Sequence, residues 1–425
     1  MSGQSLHFSA LFPRVLALLA VLGCSDDSAG NGPASAGAGA GGSSDVSGAG
    51  GVPGGGGSGA SGGSPGGASG SAGSGAQSGS TGTGGAASGG TSSGGSGGSG
   101  ETGVRIEGRV LLVDGVPYHV RGVCWNPVPK GATHPAGLDY AGFAEGDADL
   151  MQAAGINTVR TYEPLLDTAV LDTLFERGIR VLNSVYPYGG DPASVVTERV
   201  NAVKDHPATL GYLIGNEWNY NGLYVDLPHD QALARLNEAA SLIRAADGAH
   251  PIISVYGELP SAEVVEAMPD VDIWGINVYR GIGFGDLFSA WEARSDKPMI
   301  VSEYGADAYN SNLPGYDPES QALAVETLTK ALLDESAALT ADGVTLGGTI
   351  FEFADEWWKA ENPAVQDTGG VAPGGGPYPD QTFNEEWWGI VDIDRNPRPA
   401  YDALKALYVP QRGAFEAYRI NSKGS

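Results

Sequence analysis

Eight short apolar runs, at residues 119–125, 157–162, 180–186, 210–217, 251–256, 272–279, 298–303 and 346–353, constrain this chain more than any other feature. Runs of this length and polarity read as parallel strands buried on both faces. Between them, residues 146–154, 165–177, 193–204, 230–246, 261–268 and 318–339 have helical periodicity, and 400–408 adds a helix at the end. Eight strand–helix units joined by right-handed crossovers predict an α/β fold, a closed (β/α)8 TIM barrel. An open doubly wound sheet is the competing architecture, but no Gly-rich nucleotide turn follows the first strand. Upstream, residues 104–120 alternate about Asp114-Gly115 and predict a short N-terminal β-hairpin that plugs one end of the barrel.

Residues 25–101 cannot belong to such a core. They are almost entirely Gly, Ser, Ala and Thr, and bury too little apolar surface to offset the entropy of ordering. The expected organisation is a signal segment over 1–23, a disordered tether over 24–101 and one barrel domain over 102–425. Arg14 precedes an apolar run at 15–22 that is too short to span a bilayer. Val21-Leu22-Gly23-Cys24 resembles a bacterial lipoprotein signal, which implies acylation of Cys24 and a protein anchored to the cell envelope by lipid alone. The second cysteine, Cys124, is then a lone thiol expected on a buried strand. Formal net charge is −27, with 22 basic against 46 acidic residues falling in 102–425. So acidic a domain repels nucleic acid and anionic lipid and suits uncharged or cationic substrates.

Candidate chemistry gathers at the strand ends. Asn216-Glu217 closes the fourth strand and Glu303 closes the seventh, and two carboxylates so placed are the minimal equipment for cleaving a glycosidic bond. Arg160 ends the second strand, where a buried cation needs an anionic partner. Tyr279 ends the sixth and can donate its hydroxyl to a carboxylate, although core packing explains it as well. Trp125, Trp218, Trp357, Trp358, Trp387 and Trp388 crowd the loops at that end, where indoles suit stacking on sugar rings. His206 precedes the fourth strand and so belongs to the opposite, structural face. No His/Cys/Asp cluster has metal-ligand spacing, no Ser sits in a nucleophile elbow, and the glycines at 281–285 lack P-loop spacing. No cofactor or metal is therefore expected.

These residues resemble a known set. Gly215-Asn216-Glu217 and Ser302-Glu303-Tyr304-Gly305 are similar to the motifs of clan A retaining glycoside hydrolases. Residues 155–162, 301–305 and 347–353 resemble the β-1,3-glucanosyltransferases of family 72 and their family 17 relatives. His206-Pro207, Asn216-Glu217 and residues 398–405 look equally like the barrel of family 2. The cysteine framework of fungal family 72 enzymes and the β-sandwich domains of family 2 are missing. The resemblance implies Glu217 as acid/base, Glu303 as nucleophile, Asn216 on the sugar 2-hydroxyl, and Arg160 and Tyr279 orienting Glu303; Trp125, Trp218, Trp357 and Trp358 are expected against substrate from their place in the loops alone. The expected protein is a monomeric retaining hydrolase or transglycosylase for a β-linked polysaccharide or oligosaccharide, with β-1,3-glucan favoured. A family 2 or family 5-like exo-β-glycosidase for mannans or galactosides is the alternative, and a catalytically silent carbohydrate-binding barrel is the alternative from outside enzymes.

Overall fold

The computed structural model describes residues 103–422, apart from Pro314, Glu361 and residues 369–375. The signal-like segment, Cys24 and the Gly/Ser-rich stretch lie outside the described residues. The strands are β1 (Val104–Glu107), β2 (Val110–Val113), β3 (Val116–Pro117), β4 (Val120–Cys124), β5 (Thr158–Arg160), β6 (Arg180–Tyr186), β7 (Thr209–Ile214), β8 (Ile252–Gly257), β9 (Ile273–Asn277), β10 (Met299–Tyr304), β11 (Tyr309–Asn310), β12 (Gly315–Tyr316) and β13 (Thr345–Ile350). Strands β4 to β10 and β13 pair in parallel around a closed barrel of eight. The helices are α1 (Tyr140–Ala153), α2 (Thr168–Glu176), α3 (Val195–Val203), α4 (Trp218–Asn221), α5 (His229–Ala246), α6 (Ala262–Glu266), α7 (Leu287–Glu292), α8 (Pro318–Asp334) and α9 (Pro399–Ser422). Several start on side-chain caps: Asp139 accepts from the Gly142 N–H at 2.8 Å and Asp167 from that of Ala169 at 2.9 Å, which satisfies amides that have no partner inside the helix.

The expected hairpin is instead a three-stranded antiparallel sheet, β1-β2-β3. Asp114-Gly115 makes the second of its turns, with both residues at positive φ, and the first lies beside Gly108, also at positive φ. Its Leu111 and Val113 pack with Tyr118 against Leu182, Leu210, Ile253, Ile273, Ile300 and Leu346, which point into the barrel. The N-terminal end of the barrel is thereby closed by apolar contact. A larger apolar shell, including Val159, Val181, Tyr212, Trp274, Val301 and Leu328, fills the space between strands and helices. With apolar layers below, the remaining inward positions at the C-terminal end are polar: Arg160, Asn277, Ser302, Glu303 and Thr349, all buried. Burying such groups is tolerated only when each is partnered.

Candidate active site

Glu303 accepts three side-chain hydrogen bonds in this layer. Its Oε1 accepts from Arg160 Nη1 at 2.8 Å and from the Tyr162 hydroxyl at 2.7 Å, while Oε2 accepts from the Tyr279 hydroxyl at 3.0 Å. Three converging donors, one of them cationic, suit a carboxylate, which only accepts. Strand alternation alone would turn this side chain away, because Ile300 points into the barrel and Val301 and Tyr304 pack outside it. Register shifts between Val301 and Glu303, and between Val301 and Tyr304, interrupt that alternation and let Ser302 and Glu303 both join the inner polar layer.

Glu217 is held differently. It lies three residues beyond the end of β7 rather than on the strand, in the left-handed region at φ 47°, and its carbonyl accepts from Tyr220 N at 2.8 Å as α4 begins. Trp218 anchors this turn: it is 1% exposed and donates from Nε1 to Ser254 Oγ at 3.0 Å. Asn221 Nδ2 bonds the Asn216 carbonyl at 2.5 Å. A non-glycine residue at positive φ costs of order 1–3 kcal/mol, and these anchors hold it there. Burial, and after it the negative charge of Glu303, push the Glu217 carboxyl up to about 7.

Asn277 joins the two glutamates through Arg160, which donates to its Oδ1 at 3.4 Å and to Glu303 Oε1. Its Nδ2 donates to Glu217 Oε1 at 3.2 Å and to Asn216 Oδ1 at 3.3 Å, and its Oδ1 accepts from Ser302 Oγ at 2.7 Å. Arg160 completes the set, reaching Asn216 Oδ1 at 2.6 Å and the Ser302 carbonyl at 2.6 Å. Asn216 in turn donates to the Tyr224 hydroxyl at 2.9 Å. Glu217, Glu303, Asn216, Arg160 and Tyr279 thus meet in one hydrogen-bonded cluster, together with Tyr162 and Asn277, which the sequence reading did not single out. Below it lies Cys124, a buried free thiol whose Sγ is 3.7 Å from the Ser302 carbonyl, and burial pushes this thiol up to about 11.

Two of the tryptophans expected against substrate, Trp125 and Trp218, correct the sequence reading. Trp125 is 1% exposed, donates to Asp147 Oδ2 at 2.9 Å and packs on Tyr140, so neither face is open to a sugar. Trp218, buried as described, is an anchor and not a platform. Trp388 is wholly buried among Tyr279, Phe351 and Phe383. Trp387 packs with Tyr309 and Tyr316, Trp357 lies beneath the Lys130 ammonium at 4.1 Å, and Trp358 stacks on His134 at 4.6 Å. Trp357 and Trp358 are half-buried, and among the described residues their N–H groups have no acceptor. The four indoles after the last barrel strand therefore have separate surroundings. His206 sits on the opposite side as expected, bonded to Asp172 at 3.1 Å before β7.

No known family's sequence profile matches the chain. A curated relative, the β-glucuronidase of Mus musculus, is 26% identical over 271 residues, which are 57% of this chain and 39% of that protein. Among solved structures, the β-glucuronidase of Bacteroides uniformis matches at TM-score 0.53 and 19% identity, over 72% of this chain and 37% of its own. That of Faecalibacterium prausnitzii matches at 0.53 and 20%, over 72% and 51%. A GH2 β-galacturonidase from Eisenbergiella tayi, solved with galacturonate, matches at 0.52 and 18%, over 72% and 54%. The chain spans well under two thirds of each. At these identities the likeness of structure shows a shared barrel fold. Of these proteins the Eisenbergiella tayi enzyme is named as one of family 2, and none of the names supports the resemblance to family 72 or family 17.

Proposed function

We propose that the chain is a retaining β-glycosidase, with Glu303 as nucleophile and Glu217 as acid/base. The observation that carries this reading is the contrast between two carboxyl groups in one hydrogen-bonded cluster. Glu303 receives three donors, one of them a guanidinium, whereas Glu217 is pushed up to about 7. Glu217 can therefore hold a proton for the leaving oxygen while the Glu303 carboxylate attacks the anomeric carbon. The attack forms a glycosyl ester and breaks the glycosidic bond. Once Glu303 is esterified its charge is gone, the push on Glu217 weakens, and the same side chain can take the proton of an incoming water. That water then attacks the anomeric carbon and releases Glu303.

The named activities of the relatives support a β-glycosidase of family 2 kind. The separate surroundings of the indoles remove the main argument for a β-1,3-glucan acceptor groove, so transglycosylation of that polymer is not part of the proposal. Anchoring to the cell envelope through Cys24 remains part of it, supported by residues 15–24 of the sequence. Proton NMR of the first sugar released tests the stereochemistry. A β product at early times is expected from carboxyl groups about 5–5.5 Å apart, and a first-formed α anomer would require an inverting arrangement instead.

A further inference from the structure

The loop following β13 brings a second charged group to the same end of the barrel. Lys359 Nζ lies 3.1 Å from Glu356 Oε2 and 3.1 Å from Glu385 Oε2, and Glu356 also accepts from Asn126 Nδ2 at 2.6 Å. The same ammonium is 4.2 Å from the centre of the Phe351 ring, which meets the ring of Tyr162 edge-on, and Tyr162 donates to Glu303. Glu385 is near enough to Glu217 to contribute to its raised proton affinity. Glu352, 1% exposed, is bonded to Glu356, and its Oε1 has no partner among the described residues.

Among the described residues, three cations near this centre, Arg160, Lys359 and Arg280, are held by carboxylates. Arg160 is taken by Glu303, Asn216 and the Ser302 carbonyl, and Lys359 by two carboxylates. Arg280, which follows Tyr279, is held by Glu258 at 2.5 Å and Asp286 at 3.0 Å. Lys130 lies over Trp357 and lines a groove along α1 with Phe143, Asp147 and Arg395. A sugar carboxylate entering this centre would meet Glu217, Glu303, Glu356 and Glu385 and would have to draw Lys359 away from both its partners. A buried charge without a partner is strongly disfavoured. The relatives named above are β-glucuronidases and a β-galacturonidase, whose names specify an acidic sugar.

We propose that this centre takes β-glycosides whose reacting sugar carries no carboxylate, an uncharged or amine-bearing hexose, and rejects hexuronides. The inference rests on the β-glycosidase reading and specifies its substrate. The test measures kcat/KM of the full chain on the 4-nitrophenyl β-glycosides of glucose, galactose, mannose, glucosamine, glucuronate and galacturonate, which share one leaving group. The best of the first four should exceed both uronides by about 100-fold or more, and a smaller gap overturns the proposal. Whether a neutral sugar or glucosamine leads identifies which of the two is selected. Glu385→Gln removes one partner of Lys359 and should raise kcat/KM for the better uronide about tenfold, narrowing the gap. An unchanged or lower value on that uronide overturns the argument that Lys359 is engaged. If none of the six is cleaved, the glycosidase reading fails and calorimetry decides the charge question separately: glucuronate binding more weakly than both glucose and glucosamine supports it, and glucuronate binding more tightly than either overturns it.

Discussion

Glu217 and Glu303 have the same side chain and opposite surroundings. One is pushed up to about 7 by burial and by its neighbour's charge, and the other takes hydrogen bonds from Arg160, Tyr162 and Tyr279. Their substitution should therefore differ in kind. Glu303→Gly is expected to abolish turnover of every glycoside. Glu217→Ala should cost about 10²–10⁴-fold on poor leaving groups and little on dinitrophenyl glycosides, which need no proton, and azide should rescue it with a β-glycosyl azide product. For the unaltered protein, kcat/KM on a poor leaving group should fall as pH rises through about 7, because the acid form of Glu217 is lost there; in Glu217→Ala that limb should vanish. Equal losses on good and poor leaving groups would remove Glu217 from the acid role. The sequence made both glutamates legible because a carboxylate closing an apolar run is costly without a purpose. Tyr162 and Asn277 carried a weaker signal: Tyr162 follows Arg160 by two residues, and Asn277 is a polar residue at the inner end of the sixth barrel strand. Trp125 and Trp218 were misread because their partners, Asp147 and Ser254, are 22 and 36 residues away, and no local pattern announces them.

At the scale of elements, periodicity identified what is repeated and missed what is singular. All eight barrel strands lie where the apolar runs place them, to within a few residues, since buried parallel strands leave a continuous apolar signature. The six helical patterns between the strands are all present, and Asp139, Asp167, Ser261 and Asp317 cap four of them through their side chains. The helices α4 and α7 were missed, and α4, at four residues, is too brief to show a 3.6-residue period. The third strand of the N-terminal sheet was missed for a related reason: four-residue strands on either side of Gly108-Arg109 are shorter than the alternation needed to separate them. Most consequential for the site are two local departures. The register shifts in β10 let two successive residues join the inner layer, and the left-handed backbone at Glu217 carries that carboxyl beyond the strand. Neither is encoded in a period, because both arise from the closing of the barrel around them.

For the whole molecule, acidity shapes stability as well as selection of ligand. Burial raises the carboxyl groups of Glu217 and Glu386 to about 7 and that of Asp307 to about 8. The folded chain therefore binds more protons than the unfolded chain between the ordinary carboxylate range and about pH 8, so these groups make stability fall as pH rises through that window. His119, pushed down to about 3 by burial, acts in the opposite direction, but only up to its ordinary value near 6.5. From pH 6.5 to 8 the carboxyl groups act unopposed by it, and the −27 net charge adds repulsion in the same direction. Tm is expected to be lower at pH 8 than at pH 6.5 by at least about 2 °C, and a Tm that rises over this interval would show that these groups are ionised in the fold. No helix among the described residues is long and apolar enough to cross a membrane, so the expected attachment through Cys24 is judged separately from the barrel. The chemistry assigned to the barrel makes one demand above all, that Glu303 becomes covalently bound to the sugar. Incubating the protein with 2,4-dinitrophenyl 2-deoxy-2-fluoro-β-glycosides slows release of the ester, and peptide mass mapping then locates the label. The predicted result is a single glycosylated peptide with the sugar on Glu303. A label on Glu217, or turnover of the parent glycoside with no label on any carboxylate, would contradict the assignment.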